Sequence, residues 1–489
     1  MAEGQPEASR LVRQGGGSGC STDDGGEGDE PTGGKAPTEG DSGEEAQNRT
    51  QGRGTLPANL TRVNDAAKRS RQTRFTALLH HVDVEALERA FRRLRRKAAS
   101  GVDGMTVEAY EDDLENNLRD LHERVHSGRY RPQPVRRTYI PKADGGRRPL
   151  GILALEDKIV QSAVAEVLSA IYEADFLDCS YGFRPGRSAH QALQMVRTAV
   201  MVERVNWVFE ADIRRYYDSI DHEWLLRMVA HRVADPRVLR LIRQWLRAGI
   251  LEDGVYADTV EGTPQGAGIS PLLSNVFLHY VLDLWVEQWV RRHATGHVRL
   301  VRYADDYLLA LQKQEDAEAI RVALAERLAK FGLQLHEDKT RLIEFGRFAE
   351  ENRRRRGETR PEVFDFLGLT HYCGESREGR FRLCQKTQRK RMIRKLKELR
   401  LEMRRRMHQR VRDQHQWLSS VLNGHYAYYG IPGNSACIDH FHLEVTKEWR
   451  WVLRRRGQKR KLSWERFNAL REVFPLPPAR IRGWQRRAA

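Results

Sequence analysis

Cysteine is scarce in this chain: five in 489 residues, at positions 20, 179, 373, 384 and 437. They are odd in number, widely spaced and without any Cys-x-x-Cys pair, which excludes a zinc ribbon and a disulfide framework and fits a reducing compartment. Long apolar runs are missing too, as is any lipidation signal, so a membrane is not an expected partner. The first residues lack a basic start followed by an apolar core, so no secretory signal is read and the expected location is the cytoplasm, near the nucleoid. Aromatic and branched apolar residues are nearly absent from residues 1–60, too few to offset the entropy of ordering, and that stretch reads as a disordered acidic tail.

Acidic residues are in short supply beyond that tail. Residues 1–50 carry 4 basic and 11 acidic side chains, so against a chain total of +17 the remainder carries +24. The clusters Arg353-Arg354-Arg355-Arg356, Arg404-Arg405-Arg406 and Arg454-Arg455-Arg456 point to a polyanion, because each neutralised phosphate releases condensed counterions. Nucleic acid is the expected partner.

The length suggests roughly two to four domains. Val84, Leu87, Phe91 and Leu94 fall at helical spacing between Asp83 and Lys97, and a second helix is expected from about Val107 to His126. Residues 136–152 read as a hairpin about an Asp-Gly-Gly turn, able to present Lys142 and Arg148 to one side as a point charge and a bidentate fork for a triphosphate. Solubilising edge charge is the plainer account of the same pair. Tyr181-Gly182-Phe183-Arg184-Pro185-Gly186-Arg187-Ser188 is a Gly-rich loop opening a helix, with Ser188 as cap and Arg184 as a possible backbone contact.

The stretch that organises the rest is residues 298–311, two β-prone apolar runs about a tight Ala304-Asp305-Asp306 bend. An isolated Asp-Asp pair is most often an acidic turn. Here a third carboxylate, Asp212, ends another apolar strand, embedded among Phe209, Ala211 and Ile213, where an ion needs a partner. Tyr217 would wall the same cavity. Between the two lies Gly262-Thr263-Pro264-Gln265-Gly266, a flexible loop before a helix expected to be capped by Ser270. A returning strand is expected at residues 333–336, followed by Lys339, a cation suited to a leaving group. The set fits two-metal phosphoryl transfer: Asp212, Asp305 and Asp306 holding two Mg²⁺, with Mn²⁺ a possible substitute.

With these motifs in order, joined by Ala99-Ser100-Gly101-Val102-Asp103-Gly104, Ile140-Pro141-Lys142, Arg148-Pro149-Leu150-Gly151-Ile152 and Phe366-Leu367-Gly368, the chain resembles the group II intron reverse transcriptases, also called intron-encoded maturases, from about residue 70 onward. The resemblance implies an α+β right-hand polymerase: fingers and palm over residues 61–371, with an N-terminal extension at about 70–130, then a helical thumb and maturase region over 372–489. A Cys- and His-rich endonuclease, which some members of the family carry beyond this region, is not expected here. The resemblance assigns metal binding to Asp212, Asp305 and Asp306, nucleotide contacts to Lys142, Arg148, Gln265 and Gly266, and sugar selection to Tyr217. The family usually carries phenylalanines where this chain has Tyr216 and Tyr217. Tyr303, Lys339, Tyr428 and Tyr429 join Arg184 as possible nucleic-acid contacts. The implied partners are group II intron RNA, an RNA template with a DNA primer, deoxynucleoside triphosphates and target DNA. A host-adopted relative in repair or defence, or a non-catalytic RNA-binding splicing factor, are the alternatives.

Overall fold

The computed structural model describes residues 57–141, 147–252, 254–259, 261–263, 268–456 and 462–483, with the side chains of 141, 147 and 148 left aside. The acidic tail to residue 56 lies outside the described residues. Helix α1 (Ala58–Arg69) begins inside the stretch expected to be disordered to residue 60, because Leu60, Val63 and Ala67 fall on one buried face. Helix α2 (Val84–Arg92) starts at Asp83, whose carboxylate accepts the Ala86 N–H at 2.7 Å. The single helix expected over 107–126 is two, α3 (Val107–Glu111) and α4 (Leu114–Ser127). Asp113 leaves helical geometry between them and accepts instead from Asn116 Nδ2 at 2.9 Å, the competition a short polar side chain offers a helix.

Strands β1 (Val135–Pro141) and β2 (Arg147–Ile152) form the expected hairpin. The apolar helix α5 (Leu155–Tyr172) follows, then α6 (Ala189–Met201), opened by a reciprocal capping box between Ser188 and Gln191. Strand β3 (Trp207–Ala211) runs up to Asp212. Helix α7 (His222–Ala230) is capped by Asp221, which accepts from Trp224 N at 2.7 Å. Helix α8 (Pro236–Leu246) leads to the short strands β4 (Ile250–Glu252) and β5 (Val255–Ala257), which complete a sheet of order β2-β1-β4-β5. Helix α9 (Ser270–Leu278) takes Ser270 as its first residue rather than its cap. It continues through a π turn, His279–Asp283, into α10 (Leu284–His293).

Strands β6 (Val298–Tyr303) and β7 (Asp306–Leu311) are the organising hairpin. Helix α11 (Gln314–Ala329) returns the chain to β8 (Arg341–Glu344), which lies later than the strand expected at 333–336. There Leu335 makes only an isolated bridge to Ile213. Helix α12 (Ala349–Arg355) precedes β9 (Phe364–Phe366), β10 (Leu369–Glu375) and β11 (Phe381–Thr387), a sheet that carries on past residue 372. Burial of Leu383, Gln385 and Thr387 at alternate positions keeps that segment extended, so the wholly helical region begins only at α13 (Arg389–Arg405). It goes on through α14 (Val411–Tyr429), α15 (Ser435–Arg454) and α16 (Trp464–Val473). Among the described residues, no helix is long and apolar enough to cross a membrane.

The four-stranded sheet β6-β7-β3-β8 is antiparallel throughout and separates two cores. Phe209, Leu309 and Leu311 face α5, α9 and α11. Val208, Leu308, Ala310 and Ile343 face α6 and the C-terminal helices. Because successive side chains alternate, any polar residue in this sheet is committed to one of those sides.

Candidate active site

Register brings the carboxylates together. Ala211 pairs with Tyr307 across β3 and β7, so Asp212, one residue on, faces Asp306, and opposed residues share a face. Tyr303 pairs with Asp306, leaving Ala304 and Asp305 as a two-residue hairpin turn. The first of these has φ +57°, a geometry such turns normally give to glycine and one that strains alanine by about 1–2 kcal/mol. Asp306 remains reachable from solvent while protein crowds its carboxyl. Loss of water first, then the Asp305 charge, push it up to about 7; Glu210 and Asp212 add to this and Arg391 opposes. Since water still reaches the residue, repulsion among the carboxylates is the durable part of that shift, and it is the part a bound cation reverses.

Asp212 already touches a cation. Hydrogen bonds from His336 N to Asp212 O and from Arg214 N to Gln334 O, each 2.8 Å, lay residues 334–336 beside the end of β3. The turn that follows sets Lys339 Nζ 2.8 Å from Asp212 Oδ2. Three mutually repelling oxygen donors, one with an ammonium resting on it, fit a divalent cation, which prefers hard oxygen ligands. Among the described residues no three His, Cys, Asp or Glu side chains yet close on one point.

Behind the turn lies a group that sequence reasoning missed. Arg302, fully buried in β6, donates through Nε and Nη2 to the two oxygens of Asp283 (2.7 and 2.6 Å). Nη1 donates to Asn275 Oδ1 (2.8 Å) and Ala304 O (3.0 Å), and Nη2 also to Ser180 Oγ (2.8 Å). All five guanidinium N–H groups therefore have acceptors. Asn275 Nδ2 donates in turn to Gly182 O at 2.8 Å, and residues 179–181 run parallel to β6 through the bonds of Tyr181 N to Arg302 O and Arg302 N to Cys179 O. Gly182 lies so close that a Cβ there would come 2.3 Å from Ala304 N, so only glycine fits. The signal available in the sequence was an arginine inside an apolar strand, immediately before the acidic bend.

Tyr217 sits half-buried in a short turn, edge-on to Tyr216 at 5.2 Å, and Tyr216 is fixed by its hydroxyl donating to Ser274 O at 3.1 Å. Thr263 N donates to Tyr217 O (2.8 Å) and Gly262 N to Ile220 O (2.9 Å), so the Gly-rich loop enters beneath Tyr217. Gly262, at φ +86°, would push any Cβ to 2.9 Å from Tyr217 O. Lys142, Gln265, Gly266 and the side chain of Arg148 lie outside the described residues; the backbone of Arg148 is in β2, opposite Ile140. Tyr303 is half-buried at the end of β6, 6.4 Å from the Phe183 ring.

Three expected nucleic-acid contacts turn inward. Arg184 is buried, paired with Glu173 at 3.1 Å, bonded to the carbonyls of Leu177 and Ser180, and stacked over Phe176; it braces its own turn. Tyr428 donates its hydroxyl to Leu367 O at 2.8 Å. Tyr429 is buried against Gly368, where a Cβ would meet its hydroxyl at 3.0 Å and Arg391 Nη1 at 3.1 Å. The pair clamps the Leu367-Gly368 turn, and Arg391 of α13 enters the neighbourhood of Asp306 alongside it.

On the C-terminal helices Trp449 is core, its Nε1 donating to Gln414 Oε1 at 3.1 Å. Trp451 instead has Arg404 and Arg455 over its ring, 4.9 and 4.6 Å from the ring centre, while Arg406 lies over Trp417 and Arg450 over Trp464. These indoles carry cations; a guanidinium over a ring has in-plane donors that can meet phosphate, although Arg406 gives one to Glu402 and Arg450 one to the Leu462 carbonyl.

Comparison with known proteins gives the family of the chain. Residues 140–371 match the reverse transcriptase (RNA-dependent DNA polymerase) family. Over 272 residues the chain is 36% identical to protein YkfC of Escherichia coli, covering 50% of this chain and 71% of that one. It is 38% identical over 200 residues to the group II intron-encoded protein LtrA of Lactococcus lactis, covering 41% of this chain and 33% of LtrA. It is 30% identical over 176 residues to nuclear intron maturase 2 of Arabidopsis thaliana, 28% of this chain and 24% of that one. The chain belongs to the reverse transcriptases, among those of group II introns. It spans only a third of LtrA's length.

Proposed function

We propose that this chain copies RNA into DNA by two-metal nucleotidyl transfer and also binds group II intron RNA to promote splicing and mobility. The observation that carries this is the register pairing of β3 with β7, which sets Asp212 against Asp306 and beside Asp305 on a rigid sheet. Asp212, Asp305 and Asp306 would hold two Mg²⁺, or Mn²⁺ in its place. Cations held there would supply charge that favours ionisation of a primer hydroxyl and departure of pyrophosphate. Lys339, already at the site, supplies a cation on the leaving-group side. Lys142 and Arg148 clamp the incoming triphosphate, Gln265 and Gly266 line the base, and Tyr217, braced by Tyr216 and the Gly262-Thr263 backbone, meets the sugar. The arginines of the C-terminal helices hold RNA phosphates, and in a bacterial cell this work is cytoplasmic, at the nucleoid.

Primer extension on an RNA template with Mg²⁺ tests the reading. Activity in the intact chain that disappears in Asp305→Ala, with intron RNA still bound, supports both roles. No extension by the intact chain, with RNA bound, leaves only a binding protein.

A further inference from the structure

In a regular α-helix, residues eight apart stand about 80° out of phase, so Asn275 and Asp283 would not meet one side chain. Between them lies the π turn His279–Asp283, closed by Leu284 N–H donating to His279 O, five residues back. Its wider ring takes up one extra residue and returns residues eight apart to one face. Both then reach Arg302: Asn275 at 2.8 Å, and Asp283 with both oxygens. The guanidinium so fixed reaches forward to the carbonyl of Ala304, the strained residue just before Asp305. From the other side Ser180 and the contact of Gly182 with Ala304 close the cage.

We propose that Arg302 is a positioning residue for nucleotidyl transfer: anchored by Asp283 and Asn275 across the π turn, it holds the Ala304–Asp305–Asp306 turn by the Ala304 carbonyl at the spacing that Asp212 and Asp305 need to grip a divalent cation. Without that bond the left-handed alanine is free to relax, and the two carboxylates lose their shared focus while the strands stay paired. Helix α9, which carries Asn275, is tied through the same cage to the carboxylates. The activity arm rests on the polymerase reading; the metal-binding arm does not.

Removing Arg302 alone strands a buried carboxylate, so the informative variants are the double Arg302→Gln/Asp283→Asn, which removes both charges together, and Arg302→Lys, which keeps the charge and loses the fork. Mn²⁺ affinity is measured on the full chain without substrates, by the paramagnetic resonance signal of the free ion. Extension is measured against metal concentration. In folded variants Mn²⁺ affinity is expected to fall about tenfold, the half-saturating metal concentration to rise by about the same factor, and kcat to fall on the order of 10–100-fold. KM for the nucleotide stays within about twofold, since the change acts on the metal-binding turn. Folded variants that keep Mn²⁺ affinity and metal optimum, whatever their unfolding midpoint, would overturn the proposal, and a lowered midpoint among them would leave Arg302 as core structure. If the double variant does not fold, Arg302→Lys decides by the same measurements. If the unsubstituted chain extends no primer yet the variants lose Mn²⁺ affinity, the polymerase reading falls and the positioning role stands.

Discussion

The acidic turn and the C-terminal helices both depend on arginine, in opposite ways. At the turn, Arg302 is wholly inside, spends every donor on protein and has a buried counter-ion. Arg404 of α13 and Arg455, just past the end of α15, both lie over the half-buried Trp451 ring, and among the described residues neither forms an ion pair with an acid. An arginine with inward donors fixes geometry; one held by its flat face keeps its donors for a partner. Arg184 belongs to the first kind, though its place in a Gly-rich loop suggested the second.

The largest effect that breaks this comparison is at the turn itself. Asp305→Ala should reduce RNA-templated extension on the order of 10³-fold, because charge stabilisation at the reacting phosphate has no substitute. RNA affinity measured by filter binding should stay within about twofold, since the arginines proposed to meet RNA are elsewhere. A parallel loss of binding would mean that the turn, not the C-terminal helices, grips RNA.

A smaller effect is expected from the other region. Arg404→Gln with Arg455→Gln should weaken RNA binding about tenfold and lower the slope of log affinity against log salt by about 1.4, at roughly 0.7 per phosphate contact on single strands. Extension at saturating template should be unchanged. An unaltered salt slope would show that these guanidinium groups only cover Trp451.

Much of the site was legible because it is local. Adjacent carboxylates at a bend, a carboxylate ending an apolar strand, and the caps Asp83, Ser188 and Asp221 need only neighbouring residues to be read. The bends and breaks were harder: one helix became two at Asp113, and a strand expected at 333–336 formed at 341–344, where pairing with β3 decides. The cage of Arg302 was illegible, since its side-chain partners come from 19 to 122 positions away. So was the helical boundary, because β10 and β11 alternate in burial only once β9 lies beside them. Tyr428 and Tyr429 read as stacking surfaces for the same reason: their partner, the Leu367-Gly368 turn, is 61 positions upstream.

Acid sharpens the comparison further. Burial pushes His279, in the π turn, down to about 4, with Asp283 opposing, and pushes His425, stacked on Phe441 in the helical region, down to about 3, with Lys395 adding. A lowered folded pKa means that the unfolded chain binds more protons below pH 6.5, so stability present above that value is lost as pH falls. Both groups act between pH 6.5 and about 4, each by roughly 1 kcal/mol per pH unit, and below about 4 only His425 continues. Urea unfolding across pH should show His425→Phe flattening the acid limb further down than His279→Phe. Equal flattening would mean that Asp283 does not protect the π turn.

The smallest effect comes from two buried tyrosines. The Tyr307 hydroxyl, beside the acidic turn, is buried without a hydrogen-bond partner among the described residues. The Tyr426 hydroxyl lies 2.8 Å from His442 Nδ1 and donates to Pro477 O at 3.4 Å. Removing a satisfied buried hydroxyl exposes its partners to desolvation, whereas removing an orphan relieves a penalty of about 1 kcal/mol or more. Tyr426→Phe should therefore lower stability by about 1 kcal/mol, and Tyr307→Phe should leave it unchanged or raise it by a similar amount, both read from urea unfolding midpoints. Extension by Tyr307→Phe should match the unsubstituted chain, because the Phe ring fills the same space between Phe209 and the strand while Asp306 keeps its register. A loss of stability in Tyr307→Phe equal to that in Tyr426→Phe would instead place a bound water on the orphan hydroxyl, making the surroundings of the acidic turn as fully bonded as the helical region.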